Sequence, residues 1–94
     1  MIVGTVKEIK NHEYRVGLTP ESVHELTAHG HRVLVEAGAG DGIGASDALY
    51  EKAGAVILAS APEIFATADM IVKVKEPQPA ERAMLRPGQI LYTY

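Results

Sequence analysis

An alternation along the chain constrains the fold more than anything else. Short β-branched and apolar runs at residues 2–6, 31–36, 55–58, 70–75 and 89–94 are separated by segments carrying helix-start and helix-stop signals. Thr19 stands where its hydroxyl can cap a helix whose first position is Pro20. Val23 and Leu26 give that helix an inward face, and Gly30 suits its left-handed exit. Ser46 is placed to cap a second helix that ends at Gly54. Ser60, with Glu63 three residues on and Pro62 in the first turn, makes a capping-box pattern for a third. In residues 70–75, Met70, Val72 and Val74 fall on one strand face while Ile71, Lys73 and Lys75 fall on the other; the run stops before Glu76-Pro77-Gln78-Pro79. Lys73 reads as a side chain whose stem lies on the sheet and whose ammonium reaches solvent. Strands that alternate with helices bury both sheet faces most economically when the strands run parallel. The expected fold class is therefore α/β, a Rossmann-like parallel sheet with helices on both faces. It reads as truncated after about five strands, because no helix remains to cover the last one.

At 94 residues and 47% hydrophobic content, the chain has material for one core and no room for two, so residues 1–94 are expected to form a single domain segment. A net charge of −3 with nine scattered Lys and Arg gives no basic field for a polyanion, which argues against a nucleic-acid partner. No apolar run approaches the roughly 20 residues that span a bilayer, and the amino terminus has no secretory pattern, so no membrane partner and a cytoplasmic location are expected. The absence of cysteine excludes disulfides, thiolate nucleophiles and Cys-bound zinc. His12, His24, His29 and His31 form no spaced pair with a third ligand, so no metal site is expected. Ser22, Ser46 and Ser60 occupy helix starts, where capping explains them better than nucleophilic catalysis.

Open α/β sheets bind ligands outside the carboxyl ends of their strands. Arg15 lies in the loop after the first strand, Lys75 ends the fourth and Tyr94 ends the fifth. A guanidinium can grip a carboxylate bidentately while an ammonium adds a point charge, so Arg15 and Lys75 converging on one crevice would suit a small organic acid. A loop arginine and a strand-end lysine are also what ordinary solvated groups look like, and spacing alone leaves both readings open. The glycine-rich stretch offers a decoy. Gly40, Gly42 and Ala45 satisfy G-x-G-x-x-G/A, yet the helix cap falls later, at Ser46, and no acidic residue clearly ends a following strand about 20 residues on. A structural loop, with no cofactor-binding residues, is the expectation.

Residues 7–11 (Lys-Glu-Ile-Lys-Asn) and 13–20 (Glu-Tyr-Arg-Val-Gly-Leu-Thr-Pro) strongly resemble the amino terminus of the alanine dehydrogenases. The resemblance continues through Gly30-His31, Val33-Leu34-Val35-Glu36, Gly38-Ala39-Gly40, Tyr50, Ala53-Gly54-Ala55 and residues 68–77. It covers essentially the whole chain. The related subunit of nicotinamide nucleotide transhydrogenase is similar over the same region, but usually lacks the lysine matching Lys75. The resemblance implies a segment of the substrate-binding domain of an NAD-dependent enzyme that reversibly deaminates L-alanine to pyruvate and ammonia. It further implies that Arg15 and Lys75 hold the substrate, that Tyr94 lines the same pocket, and that the parent is a homo-oligomer, usually a hexamer. The family's acid/base histidine, second catalytic carboxylate and NAD-binding domain lie further along than residue 94. No catalytic residue is therefore expected within this chain, and the 94 residues alone are expected to be inactive and to bind no NAD. A noncatalytic binding or assembly module is the remaining alternative.

Overall fold

In the computed structural model, which describes residues 1–93, five parallel strands form one sheet in the order β3-β2-β1-β4-β5. The strands are β1 (Ile2–Thr5), β2 (Arg32–Glu36), β3 (Val56–Leu58), β4 (Met70–Lys73) and β5 (Ile90–Thr93). Between them lie α1 (Pro20–Ala28), α2 (Asp47–Ala53), α3 (Ala61–Thr67) and α4 (Pro79–Arg82). The strand order reverses direction at β1, so the loop after β1 opens at the switch point of the sheet, where α/β folds leave a crevice.

Period-two side chains divide the core into two layers. On one face Val3, Val33, Val35 and Val72 pack with Val23 of α1 and Tyr50 of α2. On the other, Leu34 and Ile71 pack with Ile64 and Phe65 of α3, with Met84, Leu85 and Leu91 around them. Each fully buried side chain of this size contributes about 1.5–3 kcal/mol relative to exposure. Tyr50 brings a polar atom into its layer and satisfies it, its hydroxyl donating to the Leu18 carbonyl at 2.7 Å. Burial pushes that phenol up to about 12, with the Glu21 charge adding to the shift.

The helix signals hold in two cases of three. Thr19 caps α1, accepting from the Ser22 amide at 3.2 Å, and Gly30 takes a left-handed φ of 86°. Ser46 caps α2, accepting from the Leu49 amide at 3.4 Å, and Gly54 follows at φ 112°. Ser60 does precede α3, but its capping box does not form: the hydroxyl donates to the Glu63 carboxylate at 3.1 Å instead of accepting from the backbone. An ionised carboxylate in reach is the stronger partner for that hydrogen.

Two further expectations need correction. Residues 74 and 75 lie beyond β4, which ends at Lys73. Just after them comes α4, a one-turn helix absent from the sequence reading, in which the Gln78 amide donates to the Glu81 carboxylate at 2.8 Å. Glu81 thereby comes to rest over the end of β4. Lys73 does not reach solvent: it is fully buried, 2.8 Å from Glu8 and 3.0 Å from Glu81. The turn that α4 adds closes the path its ammonium would have taken to water. Among the described residues no helix is long and apolar enough to cross a membrane.

Candidate functional site

The segment after β1 places the first of the charged groups. A turn closed by the Glu13 amide donating to the Lys10 carbonyl at 3.0 Å, with His12 at φ 61°, reverses the chain and brings Glu13 beside Arg15. Both carboxylate oxygens of Glu13 then accept from one edge of the guanidinium, Oε2 from Nε and Oε1 from Nη2, each at 3.0 Å. Oε2 also accepts from the Arg15 amide at 2.9 Å, which ties the carboxylate to the backbone that carries its partner.

Lys75 arrives from the other side. Its ammonium stands 3.8 Å from Glu13 Oε1, a charge contact longer than a hydrogen bond. Arg15 and Lys75 therefore flank one carboxylate at the carboxyl end of the sheet, and the expected convergence of the two cations holds as geometry. Hydrogen bonds from the Arg15 guanidinium and then the Arg15 amide, with a smaller contribution from the Lys75 charge, hold the Glu13 carboxyl down to about 2, and Glu13 in turn raises Arg15. The Arg15 side chain stays 65% exposed and Lys75 38%, so both are open to a ligand, whereas Glu13 is covered. Tyr94, the third expected site residue, lies outside the described residues.

What holds Lys75 in place was invisible in the sequence. Glu8 accepts from the Lys73 ammonium at 2.8 Å, from the Val74 amide at 3.0 Å and from the Lys75 amide at 3.4 Å. One buried carboxylate thus fastens the loop after β1 to the chain leaving β4, the two segments that carry the cations. Farther out, Lys10 pairs with Glu76 at 2.6 Å between the same segments, but both groups are exposed, so the gain is small.

Arg15 borders two clefts. One, of about 510 Å³, lies between the loop after β1 and the glycine loop and includes Lys7, Glu13, Gly38 and Asp41. The other, about 390 Å³, runs past Gly17, Thr19, Ile43 and Val74. The glycine loop forms a wall here rather than a phosphate cradle. A Cβ on Gly42 would stand 2.2 Å from the Tyr14 carbonyl oxygen, and one on Gly40 2.5 Å from that of Ala45 and 2.6 Å from the Tyr50 ring. These glycines admit the protein's own backbone and core. The helix starts only at Asp47, after a separate one-turn helix at Asp41–Ile43. The residues present do not fit a dinucleotide pyrophosphate, because the space beside Gly40 and Gly42 is filled by the protein's own atoms.

A family model described as "Alanine dehydrogenase/PNT, N-terminal domain" matches residues 4–94. The chain belongs to this family. Alanine dehydrogenases of Halomonas elongata and Bacillus subtilis are each 52% identical to it over 94 residues, which is all of this chain and 25% of each relative. That of Mycobacterium tuberculosis is 50% identical over the same span. Among solved structures, an L-alanine dehydrogenase superposes with a TM-score of 0.96 at 48% identity, over all of this chain and 26% of its own. A transhydrogenase from Sinorhizobium meliloti gives 0.92 at 40% identity, over 99% of this chain and 26% of its own. The chain thus spans about a quarter of the length of the alanine dehydrogenases it matches. As a member of the alanine dehydrogenase/PNT family, it shares the five-stranded parallel fold of the solved relatives.

Proposed function

We propose that residues 1–94 form the N-terminal substrate-binding segment of an NAD-dependent alanine dehydrogenase, the enzyme that interconverts L-alanine with pyruvate and ammonia. In this reading Arg15 grips the substrate carboxylate and Lys75 the carbonyl or amine end. The observation that carries it is the convergence of these two exposed cations on one carboxylate at the switch point of the sheet. The similarity to alanine dehydrogenases along the full chain supplies the reaction. Two fixed charges orient the α-carbon and stabilise the polarised carbonyl or imine as charge develops on it. Tyr94 is assigned to the same pocket on resemblance alone.

NAD belongs to the proposed reaction, and we assign its binding to residues beyond these 94, because the glycine loop is occupied by Tyr14, Ala45 and Tyr50. The same reading gives a cytoplasmic homo-oligomer of the hexameric kind. The likeness to a transhydrogenase supports a second reading, in which the same fold serves a transhydrogenase subunit. Lys75 favours the dehydrogenase. The test is alanine-dependent NAD reduction by the protein at its full natural length. Replacing Arg15 or Lys75 by Ala removes a charge-assisted contact and should lower kcat/KM by about 10–100-fold each. Activity that survives both changes would rule out the clamp, and transhydrogenation without alanine oxidation would favour the second reading.

A further inference from the structure

Glu13 has no assigned part in the clamp, although it touches both cations. A guanidinium carries five N–H donors. Glu13 engages Nε and one Nη2 hydrogen, and it does so from a position fixed by the Arg15 amide. The two hydrogens of Nη1 and the outer hydrogen of Nη2 make no hydrogen bond to another described residue. Those atoms form the second bidentate edge of the guanidinium, in the plane that Glu13 sets. The carboxylate therefore occupies one edge and presents the other.

Charge points the same way. Arg15 and Lys75 bring two positive charges and Glu13 cancels one, so the cluster is matched to a single negative charge. Glu8, the other carboxylate whose field reaches Arg15, is already engaged by the Lys73 ammonium and by the amides of Val74 and Lys75. Glu81, behind it, is held against the same ammonium.

We infer that Glu13 is a positioning and specificity-determining residue: it locks Arg15 to display its free edge and tunes the clamp for monocarboxylates over dicarboxylates. This rests on the proposed clamp and deepens it. Glu13 is 5% exposed and fastened to Arg15 through three hydrogen bonds, so the guanidinium is held in one orientation rather than left to turn in solvent.

Oxamate and oxalate separate the effects, since they are nearly the same size and differ by one charge. Their affinities are measured by titration calorimetry at neutral pH, on the protein at its full natural length, for wild type, Glu13→Gln, Glu13→Asp and Arg15→Ala. Wild type should bind oxamate, and Glu13→Gln should weaken it about tenfold, the scale of one charge-assisted hydrogen bond, while moving the preference about tenfold toward oxalate. Glu13→Asp keeps the charge but shortens the reach, so it should weaken oxamate with the preference kept. Unchanged or tighter oxamate binding in Glu13→Gln, with Arg15→Ala still abolishing it, would overturn the role of Glu13 and leave the clamp standing. Wild-type binding by Arg15→Ala would sink the clamp and this inference together. If Glu13→Gln loses its fold, judged by its melting transition, unchanged oxamate affinity in Glu13→Asp is the overturning result.

Discussion

Lys73 is fully buried between two carboxylates, an arrangement in which removing one partner costs more than the interaction itself contributes. Lys73→Ala would leave Glu8 and Glu81 buried without their cation and should destabilise the fold by about 3–5 kcal/mol, read as a lower denaturant midpoint. Glu8 would also loosen its hold on the amides of Val74 and Lys75, so ligand affinity should fall with stability. Stability unchanged in Lys73→Ala would mean that Glu8 and Glu81 do not depend on this ammonium. Tyr50 gives a pH signature. Its folded pKa of about 12 lies above the ordinary value of 10, so the folded state keeps its proton longer than the unfolded chain does. That contribution is full below pH 10 and is lost as pH rises toward 12. Tyr50→Phe should flatten the decline in this window, measured by denaturation at a series of pH values. It should also cost about 1–3 kcal/mol at neutral pH, because the Leu18 carbonyl loses its donor. Arg15 and Lys75 could be singled out in the sequence as charged residues following strands one and four, although Lys75 lies two residues past the end of β4 and Arg15 is brought round by the turn at residues 10–13. Glu8 and Lys73 were not: they meet across 65 residues, and nothing local marks a lysine whose route to water is closed by a distant turn.

At the scale of elements, the loops position the site and the strands hold the loops. The glycine loop meets the loop after β1 where Gly42 lies against the Tyr14 backbone, next to Arg15. Gly42→Ala would force the two apart, with an overpacking cost of about 1–3 kcal/mol. The expected result is a loss of pyruvate affinity larger than the loss of stability explains, seen as a raised KM in a variant that remains folded at assay temperature. A variant with wild-type KM would show that the glycine loop does not set the place of Arg15. The five strands and three of the helices were readable from periodicity and capping residues, to within about two residues at their ends. One turn of helix at Pro79–Arg82 was not, since four residues show no apolar period and its Gln78-to-Glu81 cap lay in a stretch read only as the end of a strand. The Ser60 pattern misled because a capping box and a hydroxyl–carboxylate pair have the same sequence.

Across the whole molecule, the sheet presents β5 as an outer strand, with Ile90 and Tyr92 about half exposed at 46% and 55%. An outer strand with apolar side chains is a template for pairing. Residues 1–94 expressed alone should therefore self-associate, and Ile90→Lys should shift sedimentation toward the monomer; identical sedimentation of the two would show that β5 is not the contact. On the proposed function, the same 94 residues should give no alanine-dependent NAD reduction, because the space a dinucleotide would need at the glycine loop is filled by Tyr14, Ala45 and Tyr50. The family and the fold were both legible from residue order, while the alliance of Glu13 with the two cations needed the turn at residues 10–13 to be seen in three dimensions. The most direct test of the account is a crystal structure of the protein at its full natural length with pyruvate bound. The account predicts the carboxylate on the outer Nη1–Nη2 edge of Arg15, the Lys75 ammonium within hydrogen-bonding distance of pyruvate, and Glu13 still on the inner edge. Pyruvate bound elsewhere, with Arg15 and Lys75 touching only Glu13 and solvent, would contradict it.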